Sequence, residues 1–560
     1  MKYFTEISCI FHFVLIMITG MLVGTPAFAQ DKTAEVDKIF SWTKPTDPGC
    51  AVAVSQNGKV VVNKSYGSAD VERDVPITAN TVFDAGSVRK QFVAAAILLL
   101  VEEGKLSLTD DVRKHIPQLP DYGLKITIDH LLTHTSGIRD WQPLLNLAGG
   151  DPDAMTMILR QREINFVPGD EWSYSNSNYV LLPEIVARVS GMPFSEFARK
   201  RIFEPLGMKS TSHPEDPLFI IKNRALAYKK EKDAWKMDMY LGKERGGAGA
   251  LFTTAVDLVT WNEALANNRL GASVIQKLEE PTTLNNGRKL SYARGLQLEP
   301  FRGGGQMVWH SGGAAGYSAV SGHVPQQGLS FAITCNADGS ARSQYAGRLL
   351  DLFLPAGSSN EADNVVGGGT PTANPNISPV NLGDGLRARA GVFFDEKTGS
   401  PLRLAVNNNV LMVAGGGPLV PLAADRFRNQ RTTPFFMSEA DFELQFLKAD
   451  QIEIKTKDGI VTRYRRAQAW TPTADELKAL AGHYRSDELM GYFDATPTKD
   501  GLAVRANDAN TIEFKPVERD TFQIGGSTLR FTRDKAGKVV GLEYTNPLLR
   551  KVKFTRLNDR

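Results

Sequence analysis

Residues 357–384 cut the 560-residue chain into two parts that obey different rules. The stretch SSNEADNVVGGGTPTANPNISPVNLGDG is dense in Gly, Pro, Ser and Asn and poor in large apolar side chains, so it cannot bury a core and reads as a linker. After it the chain is almost wholly short alternating strands: PLRLAV, VLMVAG, FELQFL, IEIKT and VTRYRR, then LAVRA, TIEFKPV, TLRFTR, VVGLEY and KVKFTRL. The strands fall into two similar halves. Ala390-Gly391-Val-Phe393 and Ala481-Gly482-His-Tyr484 open them, Asp425-Arg-Phe427 and Asp520-Thr-Phe522 recur inside, and each closes on a basic strand. The spacing predicts two small antiparallel β-barrels over 385–470 and 471–560.

Ahead of the linker the pattern is mixed. Gly49 to Gly67 alternates apolar residues on both sides of Asn57-Gly58, a two-residue hairpin signal. An apolar helix follows Ser87 and ends at Gly104. Helical patterns and loops fill 127–267, and strand-like runs return at 308–324 and 329–335. Strands at both ends with helices between predict an α/β (α+β) domain over 30–356, with one antiparallel sheet whose strands come from distant parts of the chain.

The extreme N-terminus is of another kind. A single lysine precedes the nearly wholly apolar run from Cys9 to Gly24, and Ala27-Phe-Ala29 supplies small residues for cleavage. Residues 1–29 read as a secretory signal peptide, the run being short for a membrane span. The expectation is a periplasmic or secreted protein with no stable membrane anchor after cleavage. A formal charge of +3 with no dense Lys/Arg run gives no reason to expect nucleic acid as a partner. Once Cys9 is removed, Cys50 and Cys335 remain, each in a strand-like run. They pair if those strands are neighbours, and two buried free thiols are the equal alternative. Neither has metal-ligand spacing, and no HExxH or CxxC occurs, so neither metal nor cofactor is expected.

The chemistry is carried by three short stretches. Ser87-Val-Arg-Lys90 starts the apolar helix, three residues apart and therefore on one face. A serine hydroxyl needs a base, and a buried lysine near the positive end of a helix has its pKa lowered enough to serve. Serine at this place is also an ordinary helix cap. Ser41-Trp-Thr-Lys44 has the same spelling, but Pro45 stops any helix there. Tyr174-Ser-Asn176 sits in a polar loop before another apolar helix: a phenol to relay a proton, an amide to hold a carbonyl. Its copy, Tyr544-Thr-Asn546, is explained by a turn before Pro547. His310-Ser-Gly312-Gly313 opens a strand-like run where glycines admit a substrate backbone, and Gly313 N–H can serve as an oxyanion donor.

In that order these stretches resemble the penicillin-recognising serine hydrolases: class C β-lactamases, DD-peptidases, related esterases and D-aminopeptidases. LLTHTSGI (131–138), YSNSNYVLL (174–182) and GGAGALFTT (246–254) are similar to the family as well, and the resemblance covers about residues 35–355. It implies Ser87 as the acylated nucleophile, Lys90 as its proton acceptor, Tyr174 as second proton-transfer group, and Asn176, His310, Gly312 and Gly313 around the substrate. His134 and Ser136, two apart, are structural on this reading. Lysine is usual in the family where His310 stands. Histidine, together with two following barrels, is closest to the D-aminopeptidases, in which a loop of the last barrel reaches the active site. The acidic loops 486–489 and 518–520 are then candidates to bind a substrate amine. The expected substrate is a small peptide, amide or ester, with esterase or DD-carboxypeptidase activity the alternative, a non-catalytic binding protein a weaker one, and a homodimer an admissible assembly.

Overall fold

The computed structural model describes residues 32–557 except 217–218, 240–248, 302–304, 338–341, 355–384, 408, 415–417, 430–441, 457–458 and 508. The expected signal peptide and the expected linker lie outside the described residues.

The catalytic region is built on a six-stranded antiparallel sheet. Its order is Lys59–Tyr66, Cys50–Gln56, Leu329–Cys335, Tyr317–Val324, Gly305–Ala314 and Gln297–Phe301. The first hairpin thus lies beside a strand almost 300 residues away. Strands Cys50–Gln56, Tyr317–Val324 and Leu329–Cys335 are buried nearly throughout because both faces of the sheet are covered. Ala51 and Ala53 face the large core that holds the helices Lys90–Glu102 and Asn178–Ser190. Cys50, Val52 and Val54 face the helices Thr33–Ile39 and Arg342–Phe353. Small side chains on the helix-rich face let the helices approach the sheet closely. Cys50 and Cys335 are direct cross-strand partners and form a disulfide, which resolves the open choice between pairing and free thiols. Among the described residues no helix is long and apolar enough to cross a membrane.

Two eight-stranded antiparallel sheets follow. The first spans Gly391–Asp395 to Val461–Arg466, its end strands meeting at a Met412–Pro418 bridge. The second, Gly482–Ser486 to Leu549–Arg556, is a closed barrel. The internal repeat has a physical cause. In each half, an arginine from the last strand reaches back to the opening Ala-Gly: Arg466 Nη1 donates to Ala390 O at 2.7 Å, and Arg556 Nη2 to Ala481 O at 2.6 Å. The recurring Phe427 and Phe522 are fully buried in their respective cores.

Gly391 and Gly482 both hold φ near +150°, a region costly for any residue with a Cβ. At Gly391 a Cβ would also stand 2.5 Å from Arg466 Nη1, a guanidinium already held by the carbonyls of Ala388, Ala390 and Ala449. Gly391→Ala is therefore expected to destabilise the first barrel by about 1–3 kcal/mol. Thermal unfolding checks it; an unchanged midpoint for the transition of that barrel would show that the Ala-Gly clamp is dispensable.

Candidate active site

The nucleophile turn is set by glycine. Phe83–Asp84 pairs with Phe252–Thr253, and the buried Asp84 accepts Gly86 N–H at 2.9 Å. Gly86 takes φ +53°, and a Cβ there would lie 2.7 Å from Gly313 N. A Cβ on Gly312 would be 1.9 Å from Ala85 O and 2.7 Å from Ser87 N. Backbone thus packs on backbone, which only glycines on both sides allow. The structure brings Gly312 and Gly313, from the strand Gly305–Ala314, directly against Ser87.

Ser87 lies in the 3₁₀ turn Gly86–Arg89, and Lys90 is the first residue of the helix Lys90–Glu102. The VAAAILLL run buries that helix and carries the lysine inside with it: Lys90 is 1% exposed. Its Nζ is 3.1 Å from Ser87 Oγ and donates to Asn176 Oδ1 at 2.9 Å. It also sits 4.6 Å from the centre of the Tyr174 ring and 5.4 Å from that of Tyr179. Burial, then the neighbouring Arg89 guanidinium, push the amine well below the ordinary lysine range, with Asp140 pulling the other way. A neutral amine beside the hydroxyl is what a general base for Ser87 requires.

Tyr174 is buried, and burial raises its phenol above the usual tyrosine value while the Ser87 hydroxyl beside it draws it down. Its hydroxyl faces Ser87 without a well-aligned hydrogen bond and keeps its proton. Asn176 is anchored through its N–H groups. The backbone N–H and Nδ2 donate to Asp140 Oδ2 at 3.1 and 3.0 Å, and Nδ2 also donates to Gln142 Oε1 at 2.9 Å. Ser87, Lys90, Tyr174 and Asn176 therefore converge on one point.

His310 is buried, with both nitrogens engaged. Nδ1 is 2.6 Å from Ser311 O, which only accepts, so Nδ1 carries the hydrogen; Nε2, 3.2 Å from Tyr292 Oη, then accepts from it. Burial first, then the nearby Lys90 amine, push this imidazole down to about 3, so it is neutral. Position 310 itself therefore presents a neutral imidazole and not a fixed cation.

His134 and Ser136 are both buried and do not form a catalytic pair. Ser136 donates to Asn178 Oδ1 at 2.7 Å. His134 accepts Ser175 N–H at 3.1 Å and lays its ring 4.3 Å from that of Tyr174. The decoys also separate: Ser41 Oγ caps Lys38 O, and Tyr544 lies in the second barrel.

The acidic barrel loops are arranged differently from the expected amine ligands. Glu488 binds Arg139 at 2.9 Å, Glu518 grips Arg465 through both oxygens at 2.8 and 3.0 Å, and Asp520 pairs with Arg533. Asp487 is 96% exposed and 3.8 Å from Arg485. What the second barrel does reach is the loop beside the site. Leu489 O accepts Gly149 N–H at 3.0 Å, and Asn507 Nδ2 donates to Leu147 O and Ala148 O. On the other flank Arg550 holds Glu171 and Asn165, a few residues ahead of Tyr174.

Asp140, Gln142, Tyr292 and Arg139 are site residues that sequence reasoning missed. Asp140 and Gln142 follow LLTHTSGI closely, but nothing in spacing says they fold over to Asn176.

Comparison with known proteins agrees with this geometry. Residues 43–354 match the Beta-lactamase family model. A D-aminopeptidase of Brucella anthropi is 25% identical over 531 residues, covering 91% of this chain and 95% of that protein. Penicillin-binding protein 4* of Bacillus subtilis (strain 168) is 29% identical over 290 residues, 48% of this chain and 64% of that protein. Among solved structures, the octameric penicillin-binding protein homologue from Pyrococcus abyssi shares the fold, with a TM-score of 0.51 at 24% identity over 79% of this chain and all of that one. With the family match spanning more than half the chain and a serine–lysine pair at its centre, this protein belongs to the beta-lactamase family and is a serine hydrolase.

Proposed function

We propose that the protein is an exported D-aminopeptidase-like enzyme that cleaves small peptide or amide substrates through a Ser87 acyl-enzyme. The observation that carries the reaction type is Lys90 Nζ, buried, 3.1 Å from Ser87 Oγ, with its pKa pushed well below the ordinary lysine range by burial and by Arg89. Ser87 Oγ attacks the substrate carbonyl and its proton passes to Lys90. The oxyanion is received by the N–H groups of Ser87 and Gly313. Tyr174 delivers a proton to the leaving amine and takes in return the proton that Lys90 holds, the C–N bond breaks, and water later releases the acyl group, its own proton going back to Ser87.

Three points support the finer reading. The B. anthropi D-aminopeptidase aligns over nearly the whole chain, barrels included. A neutral, fully engaged His310 offers a substrate carboxylate little, which favours substrates that do not end in a carboxylate beside the scissile bond. The Cys50–Cys335 disulfide fits an oxidising compartment, as export requires.

Parallel assays of D- and L-alanine p-nitroanilide, a p-nitrophenyl ester and nitrocefin test the substrate. The expected result is fastest turnover of the D-anilide. Rapid ester cleavage with an inert D-anilide would favour the esterase reading instead. Fluorophosphonate labelling of wild type and S87A tests the acyl-enzyme: wild type should label and S87A should not.

A further inference from the structure

Asp140 belongs to none of the three motif stretches, yet it governs one of their side chains. Its carboxylate, 3% exposed, accepts on both oxygens. Oδ1 takes Gln142 N–H at 3.0 Å, and Oδ2 takes the backbone and amide N–H groups of Asn176. The other Asn176 amide hydrogen goes to Gln142 Oε1. Both amide hydrogens are thus drawn to one side, and Asn176 Oδ1 is left facing Lys90 Nζ. Turned the other way, the amide would set its oxygen against the oxygens of Asp140 and Gln142 and aim N–H at Lys90 Nζ, competing with Ser87 for the lone pair of the amine.

We propose that Asp140 is a positioning residue for the Ser87 reaction: it fixes the orientation of the Asn176 amide so that an acceptor, not a donor, holds the Lys90 amine beside Ser87. The proposal rests on acylation of Ser87. A carboxylate is needed because both oxygens receive N–H donors; an amide at position 140 has one acceptor and must turn an NH₂ toward Gln142 N–H or toward Asn176. The backbone clamp is separate. Ser177 Oγ donates to Arg139 O at 2.7 Å and accepts Trp141 N–H at 2.9 Å, which keeps the two loops joined when the carboxylate is altered.

The charge of Asp140 gives the proposal a signature that folding alone would not. Lys90 is faced by Arg89 on its own helix turn, by the neutral Tyr174 and Tyr179, by the neutral His134 and His310, and by Asp140. Asp140 is the group among these that favours the protonated amine. Removing its charge makes Lys90 lose its proton more readily, so the acidic limb of the rate profile moves to lower pH.

The test is the pH dependence of the rate constant for fluorophosphonate labelling, read per reactive site so that the folded fraction does not enter. D140N is expected to label about 100-fold more slowly, as a misplaced catalytic group does, with its acidic limb shifted down. In an Asn176→Ala background, D140N should lose most of that rate effect. D140N labelling at the wild-type rate with an unmoved limb, or slowing N176A as much as wild type, would overturn the proposal. Should D140N not fold, D140E serves: it keeps the charge and both acceptors, so it should be slower with the limb unmoved, and a wild-type rate would count against Asp140. Failure of wild type itself to label would overturn the acyl-enzyme reading, and this inference with it.

Discussion

Replacing Lys90 with methionine is expected to lower kcat by roughly 10⁴- to 10⁶-fold, the range seen when one member of a nucleophile–base unit is removed. Methionine matches the length of the lysine stem, so the cavity stays filled while the proton acceptor is lost. The same change should leave the thermal midpoint unchanged or raise it. An amine buried among Tyr174, Tyr179 and the apolar helix is held against its own desolvation, and an apolar isostere carries no such cost. In wild type the acidic limb of kcat/KM should follow deprotonation of Lys90. Because burial and Arg89 depress that pKa, the limb should lie well below the ordinary lysine value of about 10.4, and rate should rise with pH through it. Steady-state kinetics with thermal melting measure both effects. A K90M enzyme turning over within tenfold of wild type would remove Lys90 from the reaction.

That opposition between activity and stability also explains which parts of the site are legible in sequence. Ser87 and Lys90 are fixed by one helix turn, and Tyr174 and Asn176 by one loop; residues that must act together and lie close in the chain leave a local pattern. Gly312 and Gly313 are legible because a close backbone approach admits nothing larger. Asp140 and Tyr292 act across loops, on Asn176 and His310, and a single carboxylate or phenol leaves no period or spacing to detect. The fold divides the same way. The barrel repeat shows because each half closes on its own arginine clamp. The pairing of Cys50 with Cys335 stays open in sequence, because register between strands 285 residues apart is a tertiary fact. The acidic loops mislead for a related reason: a charge run reveals that carboxylates are present, not which arginine meets them.

Arg139 is where that last point has energetic weight, and Arg139→Ala is expected to destabilise the protein by about 3–5 kcal/mol, the cost of leaving a buried ion pair without one partner. The guanidinium is 1% exposed, and five groups hold it. Glu488 Oε2 at 2.9 Å, Arg550 O at 2.9 Å and Lys551 O at 3.4 Å come from the second barrel, while Gln161 Oε1 at 3.2 Å and Glu163 at 3.7 Å come from the catalytic region. Arg139 is thus a pin between two domains whose own carbonyl holds Ser177, next to Asn176. Burial works against its charge and Glu488 favours it, so the pair is stable only when complete. E488Q, which keeps the shape of the turn but not its charge, should cost less than R139A yet still weaken barrel docking. The double variant R139M/E488L should be more stable than R139A, because it leaves no orphaned charge. Since Arg139 adjoins Asp140, undocking should also reach the chemistry: R139A is expected to lose kcat more than it raises KM. Chemical denaturation of the four proteins, with limited proteolysis of the junction near 470, measures the coupling. A single variant as stable as wild type, or a double variant no better than R139A, would mean that the barrel is held by its backbone contacts at Leu147–Gly149 rather than by this pin.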